Sequence, residues 1–351
     1  MNRYQRQIIL PQVGENGQQK LAHARVLIIG AGGLGCALLP YLAASGIGCI
    51  GIVDGDLVAE SNLHRQILYT PKSIGKFKVD EAKAFLNQQN PDTQIDSFTY
   101  FLEGQNALDL FRNYDLIVDA TDRIDVRYLI NDAAVLTAKP VVYASIHRFE
   151  GQISVFNYKN GPTYRCLFPK AVAAPSCAEA GVLGTAVGLI GMLQAQEVLK
   201  VILDTGEILS GNLLVYDTLN ARQHTFSFAK KEKSQITEAF YRERHLNSNI
   251  ESQSFSLDYL QNGLLIDVRE LDEQPRLNHE RILEIPLSKL DQNIAQLDKS
   301  KSYGVFCQSG KRAIAVASKL KNSGFTQVIA LKEGAQELEK EITHTRLNTI
   351  K

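Results

Sequence analysis

The chain has 351 residues, enough for two domains, and 44% hydrophobic with 22% charged residues is the make-up of a packed globular protein, which excludes a disordered or fibrous chain. Lysine plus arginine and aspartate plus glutamate both number 38, so no net field draws the molecule to nucleic acid or to an acidic membrane. The start of the chain has no basic stretch followed by an apolar core and a small-residue cleavage site. The five cysteines are an odd number scattered along the sequence, so a reducing, cytoplasmic location is expected rather than a disulfide framework.

Val26 to Val53 carries no charge and has the length of a membrane span, but Gly30, Gly32, Gly33, Gly35, Gly46, Gly48 and Gly51 interrupt it at turn-like places. Strand, turn, helix and strand is the better parse. Val26–Ile29, Cys49–Val53, Leu116–Val118 and Val141–Tyr143 read as buried strands separated by segments of helical period, which predicts a parallel α/β sheet. After Gly151 the pattern turns to alternation at Ile153, Val155 and Phe156 and again at Leu213–Tyr216. A long helix over Ala180–Leu203 lies between, so these strands are expected to extend the sheet in an antiparallel sense. Residues 229–253 are rich in Lys, Glu, Arg, Ser and Asn and read as a solvated linker with a short helix around Thr237–Arg242. The α/β alternation then restarts with Leu264–Arg269, Val305–Phe306, a helix over Lys311–Asn322 and Val328–Ala330. The expected division is a first domain over 1–228, a linker over 229–253 and a small second domain over 254–351.

Gly30-Ala31-Gly32-Gly33-Leu34-Gly35 directly follows the first strand, and such a turn lets backbone N–H groups approach phosphate at a helix N-terminus. Asp54 ends the second strand about 20 residues on, where a carboxylate holds ribose in NAD enzymes, so the glycines alone leave NAD-dependent hydride transfer open. The residues that follow favour another chemistry. Asp54-Gly55-Asp56, Ser61-Asn62-Leu63-His64-Arg65-Gln66, Gly75-Lys76-Phe77-Lys78 and Asp119-Ala120-Thr121-Asp122 collect cations and carboxylates at successive strand ends. Cleavage of the α–β bond of ATP needs cations on the phosphates and a carboxylate for Mg²⁺, roles that Arg65, Lys78 and Asp122 suit.

Together with the opening Arg3-Tyr4-Gln5-Arg6-Gln7 and the stretch Ala178-Glu179-Ala180-Gly181-Val182-Leu183-Gly184, these motifs resemble, in order over residues 1 to about 228, the MoeB/ThiF branch of ubiquitin-activating-type adenylyltransferases. The resemblance implies a homodimer that binds ATP and Mg²⁺ and adenylates the C-terminal Gly-Gly of a ubiquitin-fold sulfur carrier of the MoaD or ThiS type. It places Gly30, Gly32, Gly33, Gly35, Asp54, Asp56, Ser61, Asn62, Arg65, Lys78 and Asp122 at the ATP site, with Asp122 on the Mg²⁺, and Arg6 in the partner subunit's site as an arginine finger. It also implies that Cys177, in Pro175-Ser176-Cys177-Ala178, is an acceptor joined to the carrier as a thioester or an acyl disulfide. In one respect the chain departs from the family. Where members carry two Cys-x-x-Cys pairs, Thr163-Tyr164-Arg165-Cys166 keeps one cysteine and no other precedes Cys307 after Phe226, so no structural zinc is expected and Cys166 reads as a packed thiol.

Cys307-Gln308-Ser309-Gly310-Lys311-Arg312 follows the apolar run Tyr303–Phe306 and precedes a helical pattern. A loop of this kind lets backbone N–H groups and a cation converge on a sulfur anion. With Leu265-Ile266-Asp267-Val268-Arg269 upstream, it resembles a rhodanese-like domain from about Phe255 onward, which implies that Cys307 carries sulfane sulfur as a persulfide taken from a cysteine desulfurase or thiosulfate. Arg312 is then the loop's cation. Pro275–Pro286 lacks the usual His-Ile-x-Gly-Ala element, so the loop opposite the thiol is expected to differ. The resulting fold class is α/β: a Rossmann-like, mostly parallel sheet with an antiparallel extension, plus a small rhodanese-like domain. The function expected is carrier adenylation followed by sulfur transfer to a thiocarboxylate. NAD-dependent oxidation and a non-catalytic scaffold for a ubiquitin-like protein are the competing classes.

Overall fold

A computed structural model of the chain describes residues 3–170, 181–231, 236–246, 252–256, 259, 262–308 and 310–348. It divides into two units, Met1–Leu246 and Asn247–Lys351. In the first, β1 (Arg25–Ile29), β2 (Cys49–Val53), β3 (Gln94–Phe98), β4 (Leu116–Asp119), β5 (Val141–His147), β6 (Glu150–Phe156), β7 (Asn212–Asp217) and β8 (Arg222–Ser227) form one sheet in the order β3-β2-β1-β4-β5-β6-β7-β8. The pairs from β3 to β5 are parallel, and those from β5 to β8 are antiparallel. This is the expected mixed sheet.

Successive side chains of the central strands feed two cores because a strand presents alternate residues to opposite faces. Ile28, Ile50 and Val118 pack with Leu38 and Ile190 on one face, while Leu27, Ile117 and Tyr143 pack with Phe111 and Leu129 on the other. With helices on both faces the strands are apolar throughout, which is why they stand out in the sequence. The helix Gly184–Leu203 is long and apolar enough to cross a membrane, but here it lies on the sheet. Its Gln194 Nε2 donates to the carbonyls of Asp119 at 2.7 Å and Val142 at 3.1 Å.

Part of the expected linker belongs to the first unit. The helix Glu238–Tyr241 and the turn Arg242–Leu246 pack on it, with Tyr241 only 1% exposed and its hydroxyl donating to the Gly104 carbonyl at 2.9 Å. His245 Nε2 lies 2.7 Å from Asp132 Oδ2, and the same buried carboxylate receives Arg165 through Nε and Nη2 at 2.6 and 2.7 Å. One tyrosine and one ion cluster anchor this stretch, so its polar composition disguised its packing.

The second unit holds β9 (Ser252–Gln253), β10 (Leu264–Asp267), β11 (Ile282–Glu284), β12 (Tyr303–Phe306) and β13 (Val328–Leu331), ordered β11-β10-β12-β13-β9 with every pair parallel. Ile266, Val305, Ala317 and Leu320 fill one face and Leu265, Phe306, Leu331 and Leu338 the other. β9 falls inside the stretch expected to be linker, and two residues are too short for a periodic signal.

Candidate nucleotide and sulfur sites

In the first unit the strand order reverses at β1, since β1 connects to β2 on one side while β4 lies on the other. Ligands of open parallel sheets bind in the crevice at such a switch point, outside the strands' C-terminal ends. Here that crevice is a cavity of about 240 Å³, walled by Gly30, Gly32, Gly33, Asp54, Lys78 and Asp122 among others. Gly30 adopts φ +106°, and a Cβ on it would stand 2.7 Å from the Ala120 carbonyl oxygen. The chain therefore needs glycine to turn from β1 across the end of β4. Gly30→Ala is expected to cost at least about 2 kcal/mol and to weaken nucleotide binding at least tenfold, as urea unfolding and ATP titration would measure; unchanged stability would contradict this turn.

Beyond the turn, the helix Gly33–Ala44 opens with N–H groups that have no acceptor within the helix, which gives the cavity floor its affinity for anions. Asp54 Oδ2 accepts the Ala31 N–H and Oδ1 the Asp56 N–H, each at 2.8 Å, so this carboxylate ties the glycine turn to the end of β2. Burial raises the Asp54 pKa and the nearby Lys78 ammonium opposes the rise. Lys78 begins the helix Lys78–Gln89, is only 5% exposed and donates from Nζ to Asp56 Oδ2 at 2.8 Å.

Asp56, Asn62 and Arg65 also line the cavity, and Arg65 Nη1 donates to the Ser61 carbonyl at 3.1 Å. Two residues expected at the site do not line it. Ser61 sits on an exposed turn and supports Arg65 through its carbonyl, while Gly35 lies in the first turn of the helix, where its lack of a side chain clears the Gly30 carbonyl. Arg6 is exposed on the short helix Gln5–Ile8 and does not line the cavity. The residues fit a nucleoside triphosphate: the cations Arg65, Lys78, Arg123 and Arg127 and free helix N–H groups line the cavity, and the lining residue Gln66 keeps a buried Oε1 without a hydrogen-bond partner. The Asp122 carboxylate is exposed and makes no side-chain hydrogen bond among the described residues, as suits a ligand for the phosphate-bound Mg²⁺.

The cavity wall also contains residues that had no assigned role: Phe101, Arg123, Arg127 and Val187. Arg127 follows Arg123 by one helical turn, a spacing that puts both on one face, but nothing in their local sequence distinguishes them from solvated charges. Cys166 is buried, as a packed thiol, and accepts the backbone N–H groups of Thr163 and Lys231, each at 3.4 Å. Cys177 lies outside the described residues.

In the second unit Cys307 directly follows β12 and is 0% exposed. The chain turns at Gly310, with φ +76°, directly into the helix Lys311–Asn322, a conformation glycine adopts without strain. Ser309 lies outside the described residues. Arg269, also fully buried, donates from Nη1 to Gln308 Oε1 at 3.3 Å and is itself held by Asp267 through Nε and Nη2. Opposite, in the 275–286 stretch, Arg276 Nη1 pairs with Asp267 Oδ2 at 3.1 Å and approaches Glu284 at 3.8 Å. Arg312 forms a two-pronged pair with Glu273 at 2.5 and 2.6 Å.

The Arg312 guanidinium holds the Glu273 carboxyl down at about 2. A carboxylate lowered on folding stabilises the folded chain above its ordinary value of 4.5, and that contribution is lost as pH falls toward 2. Glu273→Gln should therefore destabilise the second unit by about 1–3 kcal/mol at neutral pH, with the difference from wild type fading in acid. Hydrogen exchange of the β12 amides in both proteins measures this, and a difference that persists at pH 2 would contradict the pairing.

A doubly wound sheet whose switch-point cavity combines a glycine turn, cations and an exposed carboxylate defines an α/β nucleotide enzyme, and the second unit adds a thiol loop. The chain belongs to the ThiF family, whose pattern matches residues 4–237, and residues 252–341 match the rhodanese-like domain. It is 38% identical over 358 aligned residues to a Mycobacterium tuberculosis protein named "Probable adenylyltransferase/sulfurtransferase MoeZ", covering 95% of this chain and 91% of that one. A "Sulfur carrier protein adenylyltransferase" from Thermus thermophilus is 49% identical over 229 residues, 63% of this chain and 84% of that one. The crystal structure of E. coli MccB shares the fold at a TM-score of 0.60 and 21% identity, over 67% of this chain and 72% of that one.

Proposed function

We propose that the chain is an adenylyltransferase and sulfurtransferase that activates the C-terminal Gly-Gly carboxylate of a ubiquitin-fold sulfur carrier with ATP and then converts it to a thiocarboxylate. The observation that carries this reading is the presence, in one chain, of a charged switch-point cavity and a Cys307 loop with rhodanese-like pattern. The carrier's carboxylate oxygen attacks the α-phosphorus of ATP, the bond to the β-phosphate oxygen breaks, and pyrophosphate leaves. Lys78 and Arg65 offset the charge that gathers on the phosphates, the helix N–H groups after Gly32 hold the oxygens, and Asp54 anchors the turn that presents them. Mg²⁺, held by Asp122, would supply further charge to the phosphates.

Sulfur transfer uses different residues. Cys307 takes a sulfane sulfur from a cysteine desulfurase persulfide, freeing that enzyme's thiol, or from thiosulfate, freeing sulfite; the terminal sulfur of its persulfide then attacks the activated acyl carbon, and the bond to the adenylate oxygen breaks with release of AMP. Cleavage of the resulting acyl disulfide by a thiol reductant releases the thiocarboxylate. Cys177 becomes joined to the carrier as a thioester or an acyl disulfide during this relay. The enzyme works as a cytoplasmic homodimer without structural zinc, and Arg6 serves the partner subunit's cavity. Mixing Arg6→Ala and Lys78→Ala subunits should then restore up to about a quarter of the activity, because one of the two cavities in a mixed dimer is intact. Absence of complementation would place Arg6 elsewhere. ATP–pyrophosphate exchange with purified carriers tests the adenylation step, and the sulfur content of the carrier afterwards tests the transfer step.

A further inference from the structure

Arg127 lines the nucleotide cavity and Asp119 lies beside it in the fold, outside the cavity lining, and neither has a part in the steps above. Asp119 closes β4 and is 2% exposed, and burial raises its carboxyl to about 7 against the opposing pull of Arg127. Its Oδ1 accepts the Thr121 N–H at 3.2 Å. From the first turn of the helix Ile124–Leu136, Arg127 Nη2 donates to the Thr121 carbonyl at 2.9 Å. Both peptide groups flanking Thr121 are thus held from inside the fold, and its Oγ1 in turn accepts the Arg123 N–H at 3.1 Å. The next residue is Asp122.

The grips are themselves braced. Arg127 lies over the Tyr143 ring with its guanidinium carbon 5.4 Å from the ring centre, and Gln194 holds the Asp119 carbonyl from the long helix. Residues 120–123 belong to neither strand nor helix, so without these contacts the segment that carries Asp122 would sample many positions.

We propose that Asp119 and Arg127 are positioning residues which, by fixing Thr121, hold Asp122 at the depth where it meets the metal-bound phosphates. This rests on the role given to Asp122 under the proposed function. A small misplacement of such a group lowers the chemical step more than it lowers ground-state binding. In the full-length enzyme, Arg127→Gln and Asp119→Leu are expected to lower the kcat of carrier-dependent exchange roughly 10–100-fold while changing KM for ATP less than about threefold, and to raise the Mg²⁺ concentration needed for half-maximal rate.

Asp119→Asn keeps an acceptor for the Thr121 N–H and Arg127→Lys keeps a cationic donor, so each should recover most of the loss. ATP binding by titration reports whether each variant is folded; if the Arg127→Gln or Asp119→Leu protein does not fold, the two conservative variants decide, with a modest fall in kcat and a raised Mg²⁺ requirement at normal ATP affinity expected. Variants with wild-type kcat and Mg²⁺ dependence, or with kcat and ATP affinity falling in parallel, would overturn the positioning role. Asp122→Asn separates the two readings: normal exchange in that protein would remove the role of Asp122, whereas its inactivity beside unaffected Asp119 and Arg127 variants would remove only the inference about positioning.

Discussion

Replacing Lys78 with alanine should lower carrier-dependent ATP–pyrophosphate exchange by at least about 10³-fold, the largest loss expected from any single change in the first unit. Lys78 is nearly buried at the start of a helix, its ammonium is 2.8 Å from Asp56, and Asp54 stands close enough for the two charges to influence each other. Removing the ammonium would leave two carboxylates facing an incoming triphosphate in a partly desolvated cavity, so phosphate binding and transition-state stabilisation would both suffer. Steady-state exchange with saturating carrier measures the effect. Exchange within tenfold of normal would take Lys78 out of the phosphate role.

The second large effect separates activation from transfer. Cys307→Ala should keep exchange within about twofold of wild type, because adenylation uses no thiol, yet lower thiocarboxylate formation by at least about 10³-fold through loss of the sulfur-bearing nucleophile. Intact-mass spectrometry of the carrier detects the exchange of oxygen for sulfur. Carrier that gains sulfur at a normal rate from the Cys307→Ala enzyme would show that the rhodanese-like unit is not the source. A loss of exchange in the same variant would instead show that the two chemistries are not separable.

Much of this was legible in the sequence because the central strands are buried on both faces. Val26–Ile29 and Cys49–Val53 lie within β1 and β2, and the glycine motif falls at the switch point where Gly30 turns beneath Ala120. The edges were harder to read. All six residues of β8 are exposed, so no apolar alternation marks it, and β3 presents Gln94, Asp96 and Ser97 in a five-residue strand. Tyr241 and His245 looked like linker residues because the partners that bury them, Gly104 and Asp132, lie more than a hundred positions away.

The same distinction applies at the sites. Gly30, Asp54 and Asp122 lie at or just past strand ends, whose sequence positions can be read directly, and Arg65 and Lys78 come from the segment that follows β2 and the helix it leads into. Gln66, Arg127 and the Arg312–Glu273 pair depend on tertiary placement of side chains that locally resemble ordinary surface charges or amides. Ser61, which shares a motif with Arg65, meets it through its backbone, whose carbonyl accepts from Arg65 Nη1.

The most direct test is ATP–pyrophosphate exchange with the full-length protein, Mg²⁺ and purified sulfur carriers, each supplied intact and with its last glycine removed. The expected result is exchange that appears only when an intact Gly-Gly carboxylate is present, because pyrophosphate can return to ATP only from a carrier acyl adenylate. Exchange at the same rate without carrier, or unaffected by removal of the terminal glycine, would contradict adenylation of the carrier's C-terminus.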